Sequence, residues 1–201
     1  MTADYRAYVG PRERYDLIGA MQFNLLTGLG LRDHHALLDI GCGSLRAGRL
    51  FIPYLLPDKY CGIEPNAWLV EKGLDEELGR SILGVKRPRF HYGMDFDLSV
   101  FGQSFDFILA QSVVTHAAKT QIQKCLNEVA KVMAQHGMFC ATYLVGDADY
   151  EGLAWVYPGC TRYTHACVER LAGDCGLSCQ RLEYQHPNGH TWVVFKHHVS
   201  S

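Results

Sequence analysis

The stretch "LLDIGCGSLRAGRLFIPYL", residues 37–55, decides the fold. An apolar run ends in an acid and two glycines, and the chain then becomes amphipathic. This pattern predicts a buried strand, a sharp turn and a helix that begins near Ser44. Glycine at positions 41 and 43 lets the backbone turn sharply and lets a ligand come into contact with it. The same turn is also compatible with a tight connection that binds nothing.

Outward from this junction, apolar strands alternate with amphipathic helices. Periodicity predicts helices over 12–29, 67–78, 122–133 and 163–177, and strands over 60–64, 105–110 and 137–145, with a third strand carried by 89–96 and ending before Asp95. This alternation indicates a parallel sheet with helices on both faces. The last two runs, 178–185 and 191–198, are joined by "HPNGH", and the Asn-Gly pair predicts a closing antiparallel hairpin.

Length and composition limit the class of protein. The 201 residues, 48% of them hydrophobic, suit one domain over 1–201, with a helical cap or lid at 1–34 and a core at 35–197. The net charge of -2 provides no global basic field, so we expect no nucleic-acid partner. Neither a signal peptide nor a membrane-spanning stretch is evident, and we expect a cytoplasmic protein that does not associate with membranes. The sequence carries no signal for an oligomeric state.

Cysteine and histidine spacing bears on metals and disulfides. Several of the eight cysteines lie inside apolar strand or helix patterns, where free cysteine packs as a small hydrophobic residue. We therefore expect reduced thiols. No pair of cysteines or histidines has compact ligand spacing with another pair, so we expect no metal site.

Acids follow the second and third predicted strands. Glu64 comes directly after an apolar strand and before Pro65, where a carboxylate can accept hydrogen bonds from the two hydroxyls of a ribose. Asp95 follows the third strand and could accept from an adenine amino group. The helix start near Ser44, with Arg46 or Arg49, suits an anionic group. The carboxyl edge of the sheet is thus predicted to bind one nucleoside.

Four motifs in order, "LLDIGCGS", "YCGIEPN", "GMDF" and "FDFILAQSVVTH", resemble those of class I S-adenosylmethionine (SAM)-dependent methyltransferases. The resemblance covers about residues 35–197. It implies a Rossmann-like fold: a mostly parallel seven-stranded sheet with a C-terminal antiparallel hairpin. It also implies SAM as cofactor or substrate, bound by Asp39, Gly41, Cys42, Gly43, Arg46, Glu64, Pro65, Asp95, Phe96 and Gln111. Leu45 stands where the family often has a third glycine, so the helix start can differ.

By this resemblance the glycine turn holds the methionyl part of SAM and Asp39 orients the loop. Glu64 binds the ribose, Asp95 with Phe96 binds the adenine, and Gln111 faces the methionyl group. A nicotinamide enzyme would need glycine at position 46, where this chain has arginine.

The expected activity is methyl transfer to a small molecule. Motifs typical of nucleic-acid methyltransferases are absent from the sequence, as is a large insertion that could hold a macromolecule. Two alternatives stay open: a cyclase that converts SAM into azetidine-2-carboxylate and methylthioadenosine, and a SAM-binding module without catalysis.

Three side chains are candidate catalytic residues. His116 follows the fourth strand, which borders the transferred methyl in this family, and histidine titrates near neutral pH. It could equally cap a helix or bind a backbone carbonyl. Tyr5 and Tyr8 precede the first strand, where the family often has a lid, and aromatic faces attract a sulfonium. A second aromatic group, 150–163, could close the other side, although ordinary packing explains both groups as well.

Overall fold

The computed structural model describes residues 4–198 as an α/β fold with a seven-stranded sheet in the order β3-β2-β1-β4-β5-β7-β6. The strands are β1 Leu37–Ile40, β2 Tyr60–Ile63, β3 Arg89–His91, β4 Phe105–Ala110, β5 Met133–Tyr143, β6 Leu177–Leu182 and β7 Thr191–His197. The helices are α1 Tyr5–Tyr8, α2 Tyr15–Gly28, α3 Gly48–Tyr54, α4 Ala67–Gly73, α5 Ser81–Lys86, α6 Lys119–Val132 and α7 His165–Gly173. The predicted mostly parallel sheet with an antiparallel end is confirmed.

Contacts divide the chain after Met94 into two compact units. In the first unit, β1 pairs with β2 and β2 pairs with β3, all in parallel. The four residues of β1 and of β2 are buried, as the apolar runs predict for strands covered on both faces. Parallel pairing places the last residues of β1 and β2, Ile40 and Ile63, side by side. The segments that follow these two strands therefore start from the same edge.

One helix start predicted in the first unit is wrong, and another differs only in the type of its first turn. Residues 12–14 form a 3-10 turn after Pro11, and α2 begins only at Tyr15. The helix expected near Ser44 begins at Gly48, because Leu45 has a φ of 60°, which an α-helix of L-residues does not accommodate. The residues between Gly43 and Gly48 form an irregular turn instead.

In the second unit, β4 and β5 are parallel, while β7 is antiparallel to both β5 and β6. The predicted closing pair is therefore confirmed. Its connection, 183–190, is longer than a two-residue hairpin, and it turns where the Gly189 N–H donates to the His186 carbonyl. Helix α6 buries one face through Ile122, Cys125, Leu126 and Val129, as its periodicity predicts.

None of the eight cysteines, all of which lie within residues 4–198, is paired in a disulfide. Burial raises the pKa of most of them, for example that of Cys125 to about 12. Within residues 4–198, no helix combines the length and the apolar character needed to cross a membrane.

Candidate functional site

The glycine turn after β1 is held against the end of β2. The backbone N–H groups of Gly41 and Cys42 both donate to the Ile63 carbonyl, at 2.8 and 3.0 Å. Gly41 and Gly43 have φ values of 70° and 55°, in the left-handed region that favours glycine. The two glycines selected from the sequence are therefore required by the path of the backbone.

Glu64 is fixed at the edge where β2 ends. One carboxylate oxygen, Oε2, accepts from the Gly43 N–H at 3.1 Å, and Oε1 accepts from the backbone N–H and the side-chain amide of Asn66, both at 2.9 Å. The residue is 7% exposed. A carboxylate offers about four acceptor positions, so these three donors leave room for one more. Asn66 was missed in the sequence, although an asparagine two residues after the acid is typical of a turn.

Asp39 lies in β1 and is buried beside the turn. Its Oδ2 accepts from the Tyr60 hydroxyl at 2.8 Å. Burial raises the pKa of Asp39 to about 7, although the Tyr60 hydrogen bond acts in the opposite direction. Cys42 is also buried, and a side chain at Gly62 would collide with its Sγ atom, since a Cβ there would lie 2.9 Å from it. Asp39 and Cys42 therefore support the turn from inside the unit.

The N-terminal segment, residues 4–10, packs on the glycine turn. A Cβ atom at Gly43 would lie 2.8 Å from Cγ1 of Val9, so glycine is needed there for this contact as well. The buried Arg46 donates from Nη1 to the Val9 carbonyl at 2.7 Å. The Tyr8 ring meets Trp68 edge to face, with ring centroids 5.3 Å apart. Residues 4–10, part of the predicted cap, thus contact the turn and α4 within the first unit.

A buried carboxylate anchors this segment. Glu77, with only 4% of its side chain exposed, accepts from the Tyr5 hydroxyl at 2.9 Å and from Arg6 Nε at 2.7 Å. Arg49 lies 3.7 Å from its other oxygen. The Arg6 guanidinium also lies over the Tyr15 ring, 4.7 Å from its centroid. We call the group Tyr5, Arg6, Arg49 and Glu77 the Glu77 cluster.

Glu77 was missed in the sequence, because it is the last of three consecutive acids between two leucines and no spacing distinguishes it. Arg49, predicted as a partner for an anionic ligand, is instead paired with Asp16 at 2.5 Å and with Glu77. Pro65, the remaining candidate in this unit, is exposed next to Glu64.

The remaining nucleoside candidates lie in the second unit. Strand β3 ends at His91, so Asp95 comes four residues after the strand rather than at its end. The Asp95 side chain is exposed and accepts from the Asp97 N–H at 3.3 Å, while Phe96 has a φ of 57°. Gln111 is buried after β4, and its Nε2 lies 3.2 Å from His186 Nε2.

His116 is buried at the end of a 3-10 turn, Val114–His116, that follows β4. Its Nδ1 lies 2.6 Å from the Gly159 carbonyl, which can only accept, so Nδ1 carries the proton. Burial lowers the pKa of His116, and the Gly159 hydrogen bond opposes this shift. The ring is therefore neutral at pH 7, with the proton on Nδ1 and the lone pair on Nε2.

The loop after β5, residues 144–164, is bound to this turn. The N–H groups of Val156 and Thr161 donate to the carbonyls of His116 and Thr115, at 3.0 and 2.7 Å. The Tyr163 hydroxyl donates to the Ala117 carbonyl at 2.7 Å. The loop thus has a fixed position relative to His116. Over the described range 4–198, no group of three or more potential ligands could hold a metal ion.

Comparison with known proteins identifies the family of the chain. A family model described as a methyltransferase domain matches residues 38–139. The chain is 30% identical over 108 residues to the uncharacterized methyltransferase YcgJ of Bacillus subtilis (strain 168). This match covers 54% of the chain and 40% of YcgJ, so the chain spans less than half the length of that curated relative.

Solved structures share the fold at low identity. Magnesium protoporphyrin IX methyltransferase (ChlM) from Synechocystis PCC 6803, crystallised with bound SAM, has a TM-score of 0.68 at 14% identity, covering 96% of this chain and 89% of that one. A SAM-dependent methyltransferase from Clostridium acetobutylicum ATCC 824 has a TM-score of 0.67 at 12% identity, covering 98% and 93%.

Proposed function

This chain belongs to the methyltransferase domain family, and on that premise we propose that it binds SAM and transfers the methyl group to a small-molecule acceptor. The observation that carries the proposal is the Glu64 carboxylate, which is held by Gly43 and Asn66 at the end of β2. A buried acid with an acceptor position to spare fits a ribose hydroxyl. To accept hydrogen bonds from both ribose hydroxyls, the Glu64 carboxylate must lose one of its three present donors. The Asn66 side-chain amide is the donor that can rotate away, because the other two are backbone N–H groups.

The other predicted contacts keep their proposed roles. The turn at Gly41 and Gly43 would hold the methionyl part of SAM, while Asp39 supports the turn through Tyr60. Asp95 with Phe96 would bind the adenine, and Gln111 would face the methionyl group. Bound SAM supplies an electrophilic methyl group on a sulfonium. We treat 1–201 as one SAM-binding domain, since the family match at 38–139 extends over both compact units.

His116 is the proposed general base. Because Nδ1 donates its proton to the Gly159 carbonyl, the lone pair on Nε2 is available to take a proton from the acceptor. The lowered pKa of His116 keeps this nitrogen unprotonated at neutral pH. Tyr5 and Tyr8 were predicted as catalytic residues. The bond from Tyr5 to Glu77 favours a positioning role for Tyr5, and the contact of Tyr8 with Trp68 favours a role in covering the turn.

Isothermal titration with SAM and with S-adenosylhomocysteine tests the binding step. We expect Glu64→Ala to weaken both ligands by at least about tenfold, since hydrogen bonds to charged groups contribute about 1.5–3 kcal/mol. Glu76→Ala is the matched control and should bind normally, because Glu76 is an exposed acid that pairs with Lys72, four residues earlier in the same unit. Because Glu64→Ala leaves buried donors unpaired, Glu64→Gln is measured too, with melting curves for all variants.

Mass spectrometry of the protein incubated with SAM, without an acceptor, tests the chemistry. Intact SAM, followed by S-adenosylhomocysteine once an acceptor is supplied, is the expected result. Methylthioadenosine above a heat-inactivated control would instead identify a cyclase. Tight SAM binding without any product across an acceptor screen would indicate a binding module, and unchanged affinity in Glu64→Ala would remove Glu64 from the site.

A further inference from the structure

Two aromatic rings flank the proposed base. The Tyr157 ring centroid lies 5.1 Å from that of His116 in an edge-on arrangement, and the Trp155 centroid lies 5.7 Å away with the planes tilted by 48°. Trp155 and Tyr157 are 43% and 44% exposed, although each has a large apolar surface that favours burial. His116 itself is buried. The turn after β4 and the loop after β5 therefore bring the imidazole of His116 together with the aromatic rings of Trp155 and Tyr157.

This arrangement is fixed rather than incidental to a loose loop. The Val156 N–H, between the two aromatic residues, donates to the His116 carbonyl, and the Gly159 carbonyl accepts from the His116 ring. The buried Thr161 adds a bond from its hydroxyl to the Val114 carbonyl at 3.2 Å. A binding site whose walls are already held in place loses little entropy when a ligand binds.

The contacts of the His116 ring are all with uncharged groups. The ring meets the Gly159 carbonyl and the rings of Trp155 and Tyr157, and it forms no ion pair within residues 4–198. Two acids of the loop, Asp149 and Glu151, pair with Lys119 of α6 at 3.8 and 2.6 Å. An ammonium acceptor would need a carboxylate beside the base, whereas an uncharged hydroxyl compound needs only the base itself.

We propose that His116, Trp155 and Tyr157 form the acceptor site, and that its ligand is an uncharged planar aromatic compound bearing a hydroxyl group. This inference rests on the proposed function and names its substrate class. The rings of Trp155 and Tyr157 bind the faces or edges of the aromatic acceptor. In the reaction, the acceptor oxygen forms a bond to the methyl carbon as the carbon–sulfur bond breaks. The bonding pair stays on sulfur, and the hydroxyl proton moves to Nε2 of His116.

The test measures binding separately from turnover. The full chain, saturated with S-adenosylhomocysteine, is titrated calorimetrically with 2-naphthol, with its saturated analogue decahydro-2-naphthol, and with a naphthylmethylammonium salt. We expect 2-naphthol to bind more tightly than the other two probes. Trp155→Leu should weaken 2-naphthol by about two- to tenfold, the range expected for losing one aromatic pair.

Matched variants separate the site from general damage to the loop. Leu153→Ala changes an exposed side chain of the same loop, 82% accessible, and should bind 2-naphthol like the wild type. His116→Gln should retain 2-naphthol binding within a few-fold while the rate of S-adenosylhomocysteine formation from SAM falls by about 10²-fold or more. If Trp155→Leu unfolds at a markedly lower temperature than the wild type, Tyr157→Leu is measured instead.

Each result decides between outcomes. Three results would overturn the acceptor class while leaving SAM binding intact. They are equally tight binding of decahydro-2-naphthol and 2-naphthol, tighter binding of the ammonium probe, and no effect of Trp155→Leu and Tyr157→Leu. Failure of the wild type to bind S-adenosylhomocysteine refutes the proposed function instead. The same titrations without that ligand then still report on the aromatic site.

Discussion

Replacing Glu77 by glutamine removes the negative charge that holds residues 4–10 against the rest of the first unit. The substitution keeps the size of the side chain and one acceptor oxygen, but it leaves Arg6 and Arg49 facing a neutral amide. We expect the N-terminal segment to leave the glycine turn more often, because Glu77 is the buried partner of both Tyr5 and Arg6.

The size of this effect can be estimated from the contacts. Hydrogen bonds to charged groups contribute about 1.5–3 kcal/mol each. The Arg6 side chain is 30% exposed, so solvent screens part of its attraction to Glu77. Docking of the segment should therefore weaken by about 2 kcal/mol, which raises the population of the undocked state about 30-fold. The rest of the fold keeps its core and should unfold at nearly the wild-type temperature.

Hydrogen exchange read by mass spectrometry measures this population directly. The peptide that covers residues 4–10 contains protected amides, such as that of Tyr8, which donates to the Asp4 carbonyl. Exchange of this peptide should accelerate about 30-fold in Glu77→Gln, if opening is fast compared with chemical exchange. Stopped-flow dissociation of S-adenosylhomocysteine should accelerate in parallel, because the segment covers the turn.

Glu76→Gln is the control, since Glu76 is the adjacent acid and is half exposed in a pair with Lys72. It should leave exchange of the N-terminal peptide unchanged. Equal exchange in the wild type and Glu77→Gln would refute the reasoning, because the cluster would then contribute nothing to docking. Faster exchange with unchanged ligand dissociation would show that the segment does not control ligand exit.

Three further substitutions test the surrounding structure. Asp39→Asn should gain stability relative to the wild type as pH rises. The pKa of Asp39 in the fold is raised to about 7, so its protonated form stabilises the wild type fully below the pKa of Asp39 in the unfolded chain. This stabilisation, at most about 4 kcal/mol, is lost as the pH rises through 7. Urea unfolding from pH 4.5 to 7.5 measures the loss. Gly43→Ala should lower the free energy of unfolding by about 1–3 kcal/mol more than Gly102→Ala, because the new Cβ at position 43 collides with Val9. Gly102 has a similar φ but open space around it. Equal losses of stability in thermal melts of the two variants would contradict this. Tyr163→Phe should cost about 1–2 kcal/mol by unpairing the Ala117 carbonyl, measured by urea unfolding at fixed pH.

The order of strands and helices could be predicted because periodicity is a local signal. Strands β1 and β4 begin and end where their apolar runs do. The resemblance to class I methyltransferases is confirmed by the family match at 38–139. The start of α3 could not be predicted, since it depends on the left-handed backbone at Leu45, which nothing in the residue type favours. Strand β3 is shorter than its apolar pattern, because pairing with β2 ends at His91.

The candidate SAM-binding residues of the first unit could be predicted from local sequence, whereas the Glu77 cluster could not. Gly43 and Glu64 were found because each lies within three residues of a strand end, and the parallel register brings the two strand ends together. Glu77 was not found because its partners Tyr5 and Arg6 are 72 and 71 residues away in the chain. The aromatic residues near His116 were noticed as a group, but only the loop hydrogen bonds identify Trp155 and Tyr157 as its neighbours.

The distribution of thiols offers a way to observe the loop after β5 in solution. Of the eight cysteines, all within the described residues, Cys160 alone is exposed. It lies between Gly159, which binds the His116 ring, and Thr161, which binds the Thr115 carbonyl. A maleimide dye added to the native protein should therefore attach fastest at this position, ahead of the half-buried Cys175 and Cys179, without any engineered cysteine. Its emission would report on the aromatic neighbourhood of His116 as candidate compounds are titrated in.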